Sequence, residues 1–147
     1  MATSKTELVQ NFVVSISEDI KLYRKLLSLL QHQKALYLKF DGESLSHNIS
    51  KQLPVLKQLG HNASQRSRLL SQLNLPCSEQ GVERLVRALP IKLSDNVRKQ
   101  WQILESLIKE CQKYNQENGQ SSAAFHELLG ELTGREQHSY EEHARSL

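Results

Sequence analysis

The sequence has few of the residues that build disulfide-bonded, sheet-rich or membrane-embedded proteins. Its 147 residues include two cysteines, six glycines and three prolines, and aromatic residues make up 5% of the chain. Cys77 and Cys111 form no CxxC motif, which favours a reduced protein over a disulfide scaffold. Neither a run of about 18 apolar residues nor a signal-peptide pattern occurs. We therefore expect a soluble, cytoplasmic protein without membrane insertion.

Residue patterns typical of catalysis or metal binding are also missing. The sequence contains no HExxH, no Gly-rich phosphate loop and no Gly-x-Ser-x-Gly elbow. Its histidines are isolated, or five residues apart in the case of the last two, a spacing that shares no helix face. They are His32, His47, His61, His126, His138 and His143. We expect neither an enzyme nor a cofactor or metal site.

The charge balance of the chain is mild and uneven. Nineteen basic and sixteen acidic residues give a formal net charge of +3, which is too small to indicate nucleic-acid binding. Residues 1–93 are net basic, whereas residues 94–147 are net acidic. This asymmetry favours antiparallel packing of the C-terminal segment on the earlier ones.

What the sequence does contain is apolar residues at intervals of three and four, the spacing of one helix face. This spacing predicts helices over about 4–40, 43–74, 78–89 and 94–132. Ser78 and Ser94 are placed to cap the last two, and the second is expected to continue through Pro54 with a kink. The expected apolar face of the second helix consists of Leu45, Ile49, Leu53, Leu56, Leu59, Ala63, Leu70 and Leu73.

Leucine-rich helices with few aromatic residues pack along seams rather than on a sheet. We therefore predict an all-α fold, an elongated antiparallel helical bundle or coiled-coil-like hairpin with three long helices and one short helix. A single helical domain is expected over residues 1–134. The segment 135–147 has little to bury and is expected to form a flexible tail.

The fourth segment carries a heptad repeat with two sets of core positions. The first set is Trp101, Ile108, Asn115, Ser122 and Leu129, and the second is Leu104, Cys111, Asn118, Phe125 and Leu132. Polar residues therefore occupy the middle of the seam, in the stretch CQKYNQENG over 111–119. Because burying unpaired amides costs a few kcal/mol each, we interpret this stretch as the point where the helix leaves its own bundle.

Apolar residues resume after the polar stretch at the spacing i, i+3, i+4 and i+7. They are Phe125, Leu128, Leu129 and Leu132. Two interpretations stay open from the residues alone. The block is either the lower end of the intramolecular core or an exposed anchor for the helix of another protein.

The order of residues from Trp101 onward resembles a known family. The chain reads W-x2-L-x2-L-x2-E-C-x3-N-x2-N-G, from Trp101 to Gly119. An Asn-x-x-Asn-Gly signature in the last helix is the hallmark of the FlgN family of flagellar type III export chaperones. The resemblance covers roughly residues 20–132. It departs from the family after Gly119, where QSSAAF stands in place of larger apolar residues.

This resemblance implies a small, all-helical cytoplasmic chaperone that binds the helical terminal region of hook–filament junction subunits. Such a chaperone prevents premature assembly of the subunits and delivers them to the type III export apparatus. The implied cargo-binding residues are Asn115, Asn118, Gly119, Phe125, Leu128, Leu129 and Leu132. Tyr140 is the implied, less well aligned, contact to the export gate. The alternative is a structural coiled-coil scaffold that self-associates through the heptad seam.

Overall fold

Helices account for nearly all of residues 4–133, the part of the chain that a computed structural model describes, with side chains described for residues 4–128. The four helices are α1 (Lys5–Lys39), α2 (Gly42–Gln72), α3 (Glu79–Arg87) and α4 (Ile91–Thr133). No strand occurs among these residues, and the predicted all-α class is confirmed. The expected tail over 135–147 lies outside the described residues.

Short polar side chains and a left-handed residue set the ends of the first two helices. The Ser4 hydroxyl accepts the main-chain N–H of Glu7 at 3.2 Å and so caps α1. Phe40 ends α1 in the left-handed conformation, with φ at 53°. The Asp41 carboxylate then accepts the N–H of Ser44 at 3.1 Å and starts α2. Two long helices are thus joined by a very tight turn.

Pro54 does not interrupt its helix, and the two predicted serine caps do not cap theirs through side-chain hydrogen bonds. α2 passes through Pro54, which is exposed, as one helix. Ser78 is the N-cap residue of α3, but its side chain makes no capping hydrogen bond. The expected cap at Ser94 is wrong. α4 begins earlier, at Ile91, because the carbonyl of Pro90 already accepts the Ser94 N–H at 2.8 Å.

The three long helices make three passes along one axis, and α1 packs against both of the others. Asn62 bonds to Asp19, and Gln52 bonds to Gln33, so α2 runs antiparallel to α1. Going along α1, its contacts with α4 advance in the same direction: Phe12 meets Trp101, Tyr23 meets Cys111, and Leu30 meets Asn118. The expected antiparallel packing of the C-terminal segment is therefore wrong for α1, since a third pass restores the direction of the first.

Two apolar clusters form the core. The upper cluster lies at the start of α1, where α3 covers it, and the lower cluster lies midway along the bundle. The upper cluster includes Phe12, Ile16, Leu69, Leu70, Val82, Leu85, Val86, Val97 and Leu104. The lower cluster consists of Leu26, Leu30, Val55, Leu59 and Cys111.

The inward face of α2 is not the one that its leucines predict. Ile49, Leu53 and Leu56 are 41%, 60% and 45% exposed. The buried positions include three amide side chains instead, Asn48, Gln52 and Asn62. Each of these amides has a hydrogen-bond partner inside the bundle, which offsets the cost of removing it from water. The expected apolar face of α2 is therefore wrong at its centre.

Candidate functional site

Asn118, the second asparagine of the signature, lies inside the bundle. Its side chain is 3% exposed, and its Nδ2 donates to the main-chain oxygen of Leu30 at 3.0 Å. The same nitrogen lies 3.4 Å from Oε1 of Gln33. Its Oδ1 is buried and has no hydrogen-bond partner. The amide therefore joins α4 to α1 through its nitrogen, and one acceptor is left unused.

Gln33 of α1 connects the Asn118 amide to α2. Its Oε1 also accepts Nε2 of Gln52 at 2.7 Å. Gln52 in turn donates to Asn48 at 2.8 Å, and Asn48 donates to the main-chain oxygen of Leu29 at 3.0 Å. One polar layer of amides thus links α1, α2 and α4. Such a layer defines the register of the helices because a shifted pairing leaves buried amides without partners.

A second buried polar group joins α1 to α2 nearer the upper end. Asp19 is fully buried and accepts Nδ2 of Asn62 at 2.8 Å. The guanidinium of Arg66 forms an ion pair with the same carboxylate. Arg66, which interrupts the apolar spacing of α2 in the sequence, is therefore a partner for a buried charge.

The two heptad positions of α4 are buried to different extents against α1. In the second set, Leu104, Cys111 and Asn118 are buried. These contacts keep a constant offset: Cys111 meets the residue 88 positions earlier, and so does Asn118. The first set turns to the side, so Trp101, Ile108 and Ser122 are half-buried and Asn115 is exposed. The two asparagines of the signature thus have different surroundings.

An exposed ion pair also joins the polar stretch to α1. Nζ of Lys34 lies 2.7 Å from a carboxylate oxygen of Glu117 and 5.6 Å above the ring of Tyr114. The hydrogen bond between them lowers the pKa of Glu117 and raises the pKa of Lys34. The interpretation that α4 leaves its bundle at 111–119 is therefore wrong, because this stretch finds polar partners on α1.

Phe125 lies where α1 ends. Its ring is half-buried, with its centroid 5.8 Å from that of Tyr37 and 5.4 Å from that of Phe40. Phe40 is the left-handed residue that closes α1, a conformation uncommon for a large side chain. Its ring nonetheless remains 50% exposed. Phe125 therefore fits both interpretations of the apolar block. It packs on Tyr37 and Phe40 of its own bundle, but Phe40 stays partly exposed, so this aromatic group is open to a partner.

Beyond Phe125, α4 continues after α1 has ended. Leu128 is 42% exposed. Leu129 and Leu132 belong to the helical backbone, but their side chains lie outside the described residues, as does the whole of Tyr140. Gly119 is exposed, and no atom lies within 4 Å of where its Cβ would be. The predicted residues therefore fall into one buried amide, two exposed positions around it, and an apolar helix end.

Sequence reasoning missed the α1 side of this region. Tyr37 and Phe40 were not singled out, although they supply the rings against Phe125. The available signal is the constant offset of 88 residues between contacts of α1 and α4. Applied to Phe125, it points to Tyr37. Only the structure reveals that offset.

The remaining reactive side chains of the described residues form no metal site. No group of three His, Cys, Asp or Glu side chains among them is placed to hold a metal ion. Burial raises the pKa of the Cys111 thiol to about 11, with a smaller contribution from Glu110. None of the helices in the described range is both long enough and apolar enough to cross a membrane.

The chain is similar in sequence and in fold to known proteins. The family model of the FlgN protein matches residues 1–139. A crystal structure from Pseudomonas aeruginosa, described under the name flagella synthesis protein FlgN, superposes with a TM-score of 0.69. It is 22% identical, and the match covers 83% of this chain and 90% of that one, which shows a shared fold. A search of curated proteins finds none that matches.

The fold is that of an elongated all-α bundle protein with three long helices. The family match extends over nearly the whole length, and the chain belongs to the FlgN family. This is a family of flagellar chaperones rather than enzymes, and membership supports a general role as a flagellar export chaperone.

Proposed function

We propose that this protein is a cytoplasmic chaperone that binds the helical terminal region of hook–filament junction subunits. It keeps those subunits from assembling prematurely and delivers them to the type III export apparatus. The observation that carries the proposal is the lower end of α4, where apolar residues continue after α1 has ended. Family membership supplies the flagellar context.

The part of α4 that extends beyond the end of α1 is long enough to engage another helix. Residues 126–133 extend about 12 Å along the helix axis at 1.5 Å per residue. From Phe125 onward, four apolar residues repeat at i, i+3, i+4 and i+7, the spacing with which helices anchor in apolar grooves. They are Phe125, Leu128, Leu129 and Leu132. Tyr37 and Phe40 extend the apolar rim from α1.

In this proposal the residues of the Asn-x-x-Asn-Gly signature have two different roles. Asn115 and Gly119 are exposed, and in this proposal they contact the cargo directly. Asn118 contributes indirectly, since its amide holds α4 in register against α1. Tyr140, outside the described residues, stays a predicted contact to the export gate.

Capture of this kind is compatible with release. A terminal segment that orders only on binding pays conformational entropy at that moment, which limits affinity for a given buried surface. The chaperone then supplies a missing helix face without nucleotide or metal in the binding step. Limited affinity permits the hand-over that export requires.

The test is binding of a synthetic peptide that carries the terminal helical region of a junction subunit. We expect the double substitution Phe125→Asp and Leu129→Asp to abolish binding in calorimetry while the far-UV helical signal is retained. Ile103→Asp is the matched control, since Ile103 is 42% exposed elsewhere on α4, and should bind like wild type. Global unfolding of the double variant would support the core interpretation instead.

A self-associating scaffold is the alternative. The seam through which it would pair is occupied by α1 at Leu104, Cys111 and Asn118, which argues against it. Sedimentation over a range of concentrations separates the two. A tight dimer that persists on dilution and buries residues 101–132 would support the scaffold.

A further inference from the structure

α2 carries an apolar stripe that faces solvent. Its members step by four and three residues, as the core positions of a coiled coil do. They are Ile49, Leu53, Leu56, Gly60 and Ala63, and all five are exposed. We call them the α2 stripe. Contiguous exposed apolar surface of this kind marks interaction sites in soluble proteins.

α4 has a matching row that α1 leaves partly uncovered. It consists of the first heptad set within the described side chains, Trp101, Ile108, Asn115 and Ser122. We call it the α4 row. Because the second heptad set packs on α1, helical periodicity turns the α4 row to one side of that interface.

The stripe and the row come together at the upper end of the bundle, and we call the space between them the groove. α2 and α4 each pack on α1 and hardly touch one another. At the upper end, Ala63 of the stripe and Trp101 of the row line the same pocket, together with Phe12 of α1 and Ser67 of α2. Because α2 runs antiparallel to α4, the stripe then descends past Gly60 and Leu56 while the row descends past Ile108 and Asn115.

α3 shows what such a groove accepts. This short helix buries Val82, Leu85 and Val86 in the upper cluster. Its neighbours there are Leu69 and Leu70 of α2 and Val97 and Leu104 of α4. α3 is thus a fourth helix of nine residues at the upper end. Below it, no other helix of the described range packs on the stripe.

We propose that this groove binds the cargo helix as the missing fourth helix, an inference that rests on the function proposed above. The occupied length corresponds to about two heptads, or about 21 Å from Ile49 to Ala63. The cargo segment would place its own apolar residues between the α2 stripe and the α4 row. In the heptad repeat, the next position of the α4 row is Leu129, so the row leads into the apolar end of α4.

Charge defines the flank of the occupant. No Asp or Glu occurs between Ser44 and Ser78, whereas Lys57 and Arg68 are exposed on α2. The opposite flank, on α4, carries the neutral Gln112 and Gln116. The fitting partner is an amphipathic helix with carboxylates on the side that faces α2.

Two other occupants fit less well. A second copy of this chain would bring the α2 stripe against another α2 with the same positive charge. The chain's own residues 134–147 carry three glutamates and two arginines, a net charge of −1. Their apolar residues at this spacing, Tyr140, Ala144 and Leu147, are too few to fill two heptads. A cargo helix would satisfy both requirements if it carries carboxylates on the side that faces α2 and apolar residues at intervals of three and four over two heptads.

The glycines of the groove support close approach of a helix. Gly60 lies in the α2 stripe, and Gly119 follows the asparagines of α4. No atom lies within 4 Å of a Cβ placed on either one. Absent side chains let two helix backbones approach each other closely, as small residues do at other helix interfaces. Asn115 adds an exposed amide within the row.

The test uses the full chain and the same synthetic terminal peptide of a junction subunit. Leu53→Gln with Leu56→Gln keeps the charge and removes the apolar groups, and we expect at least a ten-fold weaker Kd in calorimetry. Val14→Gln with Ile103→Gln is the matched control. Val14 and Ile103 are 54% and 42% exposed on other faces, and this variant should bind like wild type. Lys57→Glu should also weaken binding, and the loss should be larger at low salt than at high salt because salt screens exposed charges.

A cross-linking measurement locates the peptide independently of affinity. A benzophenone side chain at position 56 should cross-link to the peptide, and one at position 14 should not. Wild-type affinity of the Leu53/Leu56 variant, together with lost binding in the Phe125/Leu129 variant, would overturn the groove and leave the proposed function intact. If the wild-type chain fails to bind, both proposals fall. Equal losses in the groove and control variants would also overturn the groove.

Discussion

Asn118 of α4 donates a hydrogen bond to the main-chain oxygen of Leu30 in α1 at 3.0 Å. Gln33, one turn further along α1, accepts from Gln52 of α2 at 2.7 Å and lies 3.4 Å from the same asparagine. All three long helices therefore meet in one amide layer. A buried amide in an otherwise apolar seam favours one register, because other registers leave it unpaired.

Substitution of Asn118 separates stability from register. Asn118→Ala should lower the free energy of unfolding by about 1–2 kcal/mol, because a hydrogen bond is lost and a cavity remains. Asn118→Leu should change it by less than about 1.5 kcal/mol, since an apolar side chain of similar size also removes the unpartnered Oδ1. Urea unfolding measures both, with the exposed Asn115→Ala as control. A much larger loss for Asn118→Leu would show that the amide is worth more than one bond.

The buried carboxylate of Asp19 depends on its partners on α2. Asp19→Leu leaves Arg66 and Asn62 without their acceptor and should lower the free energy of unfolding by about 3 kcal/mol. Adding Arg66→Leu should recover most of that loss, because the two changes together replace a pair by apolar contacts. A double-mutant cycle in urea checks the coupling. Additive losses would contradict the pairing.

The interior polar residues mark the limit of what the sequence predicts. α1 and the second heptad set of α4 could be predicted, because Phe12, Ile16 and Leu104 are apolar and buried. The inward face of α2 could not be predicted. Asn48 and Gln52 resemble surface residues until their partners on α1 are known, and those partners lie 19 residues away in the chain.

The candidate site was predictable only in part for a related reason. The apolar spacing from Phe125 onward identified a surface in the sequence. The end of α1 near residue 40 was predicted, but the packing of Phe40 against Phe125 was not. The parallel pairing of α1 with α4 depends on the whole three-pass topology. A periodicity within one helix contains neither piece of information.

The ion pair between Lys34 and Glu117 gives the protein a defined acid response. The pKa of Glu117 is lowered in the folded state, so its contribution is present above its unfolded pKa and is lost as the pH falls through the folded value. Glu117→Gln should therefore unfold at lower urea than wild type at pH 7, and the difference should shrink below about pH 4. Glu127→Gln, on the same helix, is the control. A difference that persists at acid pH would contradict the charge origin.

The two cysteines should differ strongly in reactivity. Cys77 is exposed, whereas Cys111 is buried and the pKa of its thiol is raised to about 11. Because the thiolate is the reactive form, we expect a thiol reagent at pH 8 to modify Cys77 rapidly. Cys111 should react at the rate of bundle opening or after denaturation. Mass spectrometry of the modified chain distinguishes the sites, and rapid modification of Cys111 would show that α4 detaches easily from Tyr23.

Two glycines should respond in opposite ways to alanine. A Cβ on Gly81 would collide with the main-chain oxygen of Pro76, so Gly81→Ala should displace α3 and lower the midpoint of thermal unfolding. Gly119 has open space around it inside a helix, and Gly119→Ala should raise stability by about 0.5–1 kcal/mol. The same variant should weaken cargo binding if a helix approaches closely at the groove. A more stable chain with unchanged affinity would instead leave the glycine without a part in binding, which separates the two contributions at a single position.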